Sequence, residues 1–126
     1  MSAVVVDTSV WINYFKGEEN SFIDSALKDG SVYLPPLVLA ELLSSNLSSK
    51  EKKEIISFLE ELRPCNCDFE HWTRVGILRN NFSKRGISVS TPDAHIAQCA
   101  LDLDAVFLSK DKIFLQISKI IQLKLL

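Results

Sequence analysis

The sequence predicts an α/β domain with a central parallel sheet and helices on both faces. Three observations predict it. Short apolar, β-branched runs (Ala3 to Val6, Ser31 to Leu34, Ala105 to Leu108) alternate with stretches of helical spacing. No two of these runs are joined by a hairpin signal, so each pair needs a crossover connection. The chain has 126 residues, 47% of them hydrophobic, which suits one domain (1–126) with a real core.

Each element has its own warrant. Val4-Val5-Val6 ends in Asp7, the pattern of a buried strand. Thr8 or Ser9 then caps a helix running to about Lys16, and Gly17 breaks it. Phe22, Ile23, Ala26 and Leu27 have helical spacing and stop at Asp29-Gly30. A second strand, 31–34, gives way at Pro35-Pro36 to a helix carrying Leu37, Val38, Ala40, Leu42 and Leu43. Ser49 caps the next helix, whose stripe is Ile55, Ile56, Leu59 and Leu62, and Pro64 closes it. A short strand near 65–67 is weakly marked. Asp68 caps a helix with Phe69, Trp72, Val75, Leu78 and Phe82 on its apolar face, ended by Lys84-Arg85-Gly86. Thr91-Pro92-Asp93 starts a helix that buries Ile96, Ala97, Ala100 and Leu101. After the strand 105–108, Ser109-Lys110-Asp111 leads into a short helix, and 120–123 suits a last strand.

Composition excludes several classes. No apolar run approaches the roughly 20 residues that cross a bilayer, and the N-terminus lacks a signal-peptide pattern, so the chain reads as cytoplasmic with no membrane partner. Cys65, Cys67 and Cys99 are too few and too irregular for a disulfide scaffold. They read as buried free thiols, a lone C-x-C being weak evidence for metal. His71 and His95 read as two separate residues, structural or solvated. The net charge of -2 advertises no nucleic-acid binder. Between His71 and Pro92, however, there is no acid, while Arg74, Arg79, Lys84 and Arg85 all fall there. This segment is either a solvated helix face or a strip that tracks phosphates.

Ligands of open parallel sheets bind beyond the carboxyl ends of the strands. Asp7 closes the first strand and Asp111 follows the strand 105–108, so both belong at that edge. Asp93 opens a helix leaving it. Glu41 stands among Leu37, Val38, Leu39, Ala40, Leu42 and Leu43, with no basic residue close in sequence. Clustered carboxylates raise one another's pKa unless something positive intervenes, and a hard divalent ion such as Mg2+ or Mn2+ answers that need. No glycine-rich phosphate loop, H-E-x-x-H or C-x-x-C competes.

The segments Val4-Val5-Val6-Asp7-Thr8-Ser9-Val10-Trp11-Ile12, Val38-Leu39-Ala40-Glu41-Leu42, Thr91-Pro92-Asp93-Ala94-His95-Ile96-Ala97 and Leu108-Ser109-Lys110-Asp111-Lys112-Ile113-Phe114 resemble the four motifs of PIN-domain proteins. Length and order most resemble the VapC toxins of toxin–antitoxin pairs. The resemblance implies a three-layer α/β/α sandwich and a Mg2+- or Mn2+-dependent endoribonuclease. It places the metal-holding and catalytic acids at Asp7, Glu41, Asp93 and Asp111, and supporting hydroxyls at Ser109 and at Thr8 or Ser9. It also implies a homodimer, an RNA substrate and a cognate antitoxin. In one departure, Ile113 stands where many relatives carry a second acid, which implies one tightly held ion, any second arriving with the RNA.

On this reading a metal-activated water attacks the RNA phosphorus, leaving a 5′-phosphate and a 3′-hydroxyl. Arg74, Arg79, Lys84 and Arg85 would hold flanking phosphates. Two other readings stay open: an aspartate-based phosphatase with Asp7 as nucleophile, and a PIN-like module that binds RNA or protein without cutting.

Overall fold

The computed structural model describes residues 2–126. Five strands, β1 (Val4–Val6), β2 (Val32–Leu34), β3 (Arg63–Pro64), β4 (Val106–Leu108) and β5 (Lys124–Leu125), form one sheet in the order β3-β2-β1-β4-β5. Every pairing is parallel. Among the described residues seven helices flank it: α1 (Thr8–Phe15), α2 (Ser21–Lys28), α3 (Pro36–Leu43), α4 (Ser49–Leu59), α5 (Phe69–Ser83), α6 (Thr91–Asp102) and α7 (Lys112–Ser118). This is the expected α/β/α sandwich on a parallel sheet.

The centre of the sheet follows from the sequence. Val4, Val5 and Val6 are fully buried because β1 has strands on both sides and helices above and below. Its register sets Val5 beside Tyr33 in β2 and Phe107 in β4. The chain builds outward from β1 to β2 and β3, then returns to place β4 on the other side of β1. The order of strands therefore reverses between β1 and β4, where the carboxyl ends leave a crevice. Asp7 and Ser109-Lys110-Asp111 emerge from those two strands.

Several boundaries differ from expectation for local reasons. Asp7 itself caps α1, because its carboxylate accepts from the Thr8 amide; Thr8 and Ser9 lie inside the helix. Ser48, one residue before Ser49, caps α4 through a reciprocal pair with Glu51. Ser90 rather than Thr91 caps α6. Helix α4 stops at Leu59, and Arg63–Pro64 forms the edge strand β3 where a proline costs least. The final strand is 124–125, later than 120–123.

Helix α5 departs most. Phe69 and Trp72 were expected on its buried face, yet Phe69 is 87% exposed and Trp72 43%, while His71 is wholly buried. Further along, Val75, Leu78 and Phe82 face the core as expected. Near Gly86, a positive φ of 79° turns the chain back towards α6. His71, near the start of α5, then lies against His95 and Asp102 of α6, so the two helices run antiparallel.

Candidate active site

Asp7 is 3% exposed. Its amide donates to the Leu108 carbonyl (2.9 Å), which locks the end of β1 onto β4. One carboxylate oxygen takes the Thr8 amide at 2.8 Å. The other takes the Ser109 hydroxyl at 2.7 Å and, more distantly, that of Ser9 at 3.4 Å. Ser109 and Ser9, both expected near the acids, thus bond Asp7, with Ser9 the more distant of the two hydroxyls.

Thr8 serves a different acid. Its hydroxyl donates to Glu41 across 2.6 Å, linking the first turn of α1 to the middle of α3. Glu41 is half-buried, as its apolar neighbours suggested. Asp111 caps α7 without a side-chain capping bond, and its amide donates to the Ser109 hydroxyl at 3.0 Å. Asp93 stands in the first turn of α6, with its amide on the Ser90 hydroxyl.

The electrostatics tie three of these acids together. Burial pushes the Asp7 carboxyl up to about 6; Ser109 and Thr8 hold it down, and hydrogen bonding and charge from Asp111 push it up. Asp93 is also raised, by burial and then by the charge of Asp111. No lysine or arginine among the described residues forms an ion pair with Asp7, Glu41, Asp93 or Asp111. A buried Asp7 raised further by Asp111, with no cationic side chain paired to it, suits a hard divalent ion with oxygen ligands. Asp7, Asp93 and Asp111 offer the carboxylate oxygens that such an ion takes.

A PIN domain model matches residues 4–120, nearly the whole chain. This chain belongs to the PIN domain family. Solved structures with the same fold include DNA-bound VapBC from Salmonella typhimurium, 18% identical, covering 100% of this chain and 98% of that one with a TM-score of 0.81. VapBC2 from Rickettsia felis bound to a promoter DNA fragment is 18% identical, with 98% and 97% covered and a TM-score of 0.79. VapBC-1 from nontypeable Haemophilus influenzae is 20% identical, with 98% and 96% covered and a TM-score of 0.75. No curated protein sequence matches the chain.

The basic residues of this PIN domain do not form one strip. Arg74 is held by Asp102, with nitrogen–oxygen distances of 2.9 and 3.1 Å. Asp102 ends α6 nine residues beyond Asp93, or about 13 Å along a helix at 1.5 Å per residue, so Arg74 sits at the wrong end. Arg79 lies nearer the acids: its Nε donates to the Val89 carbonyl (2.8 Å) just before the Ser90 cap. It borders a hollow of about 550 Å³ with Asn80, Ser83, Ser88 and Val89. Exposed Lys84 and Arg85 flank a second hollow beside Ile120 and Ile121.

The early aromatics are chiefly core. Trp11 is wholly buried and stacks on Phe15, with Phe58 edge-on to both. Phe15 and Phe58 also line a groove of about 590 Å³ with Ile12, Leu42, Leu47 and Ile55.

The expected separation of the histidines is overturned. His71 Nε2 and His95 Nδ1 are 2.8 Å apart, and both rings are wholly buried. Burial, then the neighbouring His71, pushes His95 down to about 4, so its ring is neutral at pH 7. Cys99, 1% exposed, places its sulfur 4.0 Å from His71 Nε2 and 3.9 Å from His95 Nε2. Cys67 completes the group. A signal existed in the mirrored spacing Cys67-x3-His71 and His95-x3-Cys99, which reading each residue alone could not show.

Proposed function

We propose that this PIN domain is a Mg2+- or Mn2+-dependent endoribonuclease, the toxin of a toxin–antitoxin pair. One observation carries the reading: a buried Asp7 at the carboxyl edge of the central strand, charged against Asp111 and without a cationic partner. Asp7, Asp93, Asp111 and Glu41 would hold the ion. Bound there, the ion would supply a nucleophile from water at neutral pH and would polarise the scissile phosphodiester.

The chain's own side chains set the stage. Ser109 fixes the Asp7 carboxylate, and Thr8 fixes Glu41, so two acids are pre-oriented by hydroxyls rather than by each other. Arg79, with Lys84 and Arg85 beyond it, supplies positive charge at the Asp93 end of α6, where flanking RNA phosphates would lie. Arg74, occupied by Asp102, is left out of that role. The acidic edge explains why such a site needs a cation before it can accept a polyanion.

The VapBC likeness supports an antitoxin partner; a cytoplasmic, homodimeric toxin belongs to the same reading. The apolar groove between α1, α3 and α4 suits an antitoxin segment. No described helix is long and apolar enough to cross a membrane.

The test is cleavage of defined RNAs with Mn2+ by the wild-type chain and by Asp7→Asn, with product ends mapped. Cuts leaving 5′-phosphate and 3′-hydroxyl termini in the wild type alone are expected. Full activity in folded Asp7→Asn would remove the assignment.

A further inference from the structure

Cys67, His71, His95 and Cys99 each bring one donor atom into a cluster whose members all lie within 4.8 Å of one another. We propose that these four side chains form a closed, tetrahedral Zn2+ site that staples α5 to α6, separate from the acidic edge.

The donor set selects the ion. Two thiolates and two imidazoles suit Zn2+, while Mg2+ and Mn2+ prefer oxygen. With Zn–N of about 2.0–2.1 Å and Zn–S of about 2.3 Å, tetrahedral neighbours stand roughly 3.3 to 3.8 Å apart. The separation of 4.0 Å from Cys99 sulfur to His71 Nε2 lies close to that range. Ligation through His95 Nδ1 moves that ring's proton to Nε2, and the 2.8 Å contact with His71 Nε2 must open by about half an ångström to admit the ion.

The local sequence builds the pocket from two short pieces. His95 and Cys99 are four residues apart within α6 and so project from one face. Cys67 precedes the Asp68 cap of α5, and His71 follows within the first turns. Trp72 stacks on His95, centroids 4.6 Å apart and planes within 9°, and so roofs the cluster against water. Asp93 lies two residues before His95, a step of about 200° around the helix, so the two project from nearly opposite sides.

The surroundings are those of a metal-bound histidine. Asp102 accepts from His71 Nδ1 at 2.9 Å, leaving Nε2 for the ion. Asp102 is itself fixed by Arg74 and by Gln98 at 2.8 Å. Charge balances as well: Zn2+ neutralises two thiolates, and Arg74 neutralises Asp102. Binding releases the two thiol protons to solvent. With four protein ligands and no open position, the site is structural rather than catalytic.

The test is metal analysis of the chain isolated under reducing conditions, followed by Co2+ reconstitution. About one zinc per chain is expected. Co2+ should give the intense visible bands of a tetrahedral site with thiolate-to-metal charge transfer, accompanied by a change in Trp72 fluorescence. Cys67→Ala, at a half-exposed position, should lose both ion and bands. Asp102→Asn should weaken zinc affinity about 10–100-fold without removing a ligand. Asp7→Asn with Asp93→Asn should leave zinc content unchanged. A folded wild-type chain that takes up neither ion would overturn the proposal, as would bands that persist in folded Cys67→Ala. Loss of the ion in the Asp7/Asp93 variant, or a Cys67–Cys99 disulfide in the isolated protein, would do the same.

Discussion

Helix α6 borders two clusters of ionisable side chains that differ in almost every respect. Near its N-terminus, Asp93 lies with Asp7 and Asp111 at the carboxyl edge of the sheet, where the charge of exposed Asp111 raises both of the others. Beginning two residues later and on another face, His95 and Cys99 meet His71 and Cys67 in a roofed pocket of soft donors. Asp7 and Glu41 are held by hydroxyls that leave their charge uncompensated, whereas the histidine pair is backed by a carboxylate with its own arginine. An open, frustrated oxygen site suits an ion that works; a closed, balanced sulfur–nitrogen site suits an ion that holds.

The largest expected break in this comparison is at the acids. Asp7→Asn should lower cleavage about a thousandfold or more, a contribution of several kcal/mol, in a single-turnover RNA assay. Without added metal it should melt no lower than the wild type, because the lost charge was desolvated. The opposite is expected at the second cluster, where stripping zinc should lower Tm by about 5–15 °C in calorimetry.

The pH profile sharpens the contrast. Asp7 is raised to about 6 from an ordinary 3.8, so the folded chain binds this proton more tightly than the unfolded chain does. The carboxylate's contribution to stability therefore falls as pH rises from about 4 through 6, and the metal-free chain gains from this group on acidification. Cleavage should run the other way, rising through about pH 6 as the proton leaves Asp7 and the ion binds. Ser109→Ala removes a bond that holds this carboxyl down, so it should move the rise to higher pH and cut activity about tenfold. The smallest effects are expected among the arginines. Arg79→Ala should weaken RNA binding a few-fold with a reduced salt slope, while Arg74→Ala should leave cleavage within about twofold.

Much of the fold was legible in the sequence. The three apolar runs became β1, β2 and β4, and Pro35-Pro36 and Pro92 marked helix starts where a missing amide costs nothing. The acids at strand ends and helix starts were legible for the same reason: local position in a parallel sheet sets which edge a residue reaches. What escaped were facts about pairs of elements. The α5 face was misjudged because Phe69 and Trp72 are more hydrophobic than His71, yet the partner at that level of α6 is polar. Arg74 looked free because Asp102 is 28 residues away in sequence.

The most direct measurement is RNA cleavage by the zinc-loaded chain with and without added Mn2+, beside an Asp93→Asn control. Cutting that needs Mn2+, is lost in the control and leaves bound zinc unchanged is the predicted result. Cutting by Asp93→Asn at the wild-type rate, or cutting supported by zinc alone, would contradict the account.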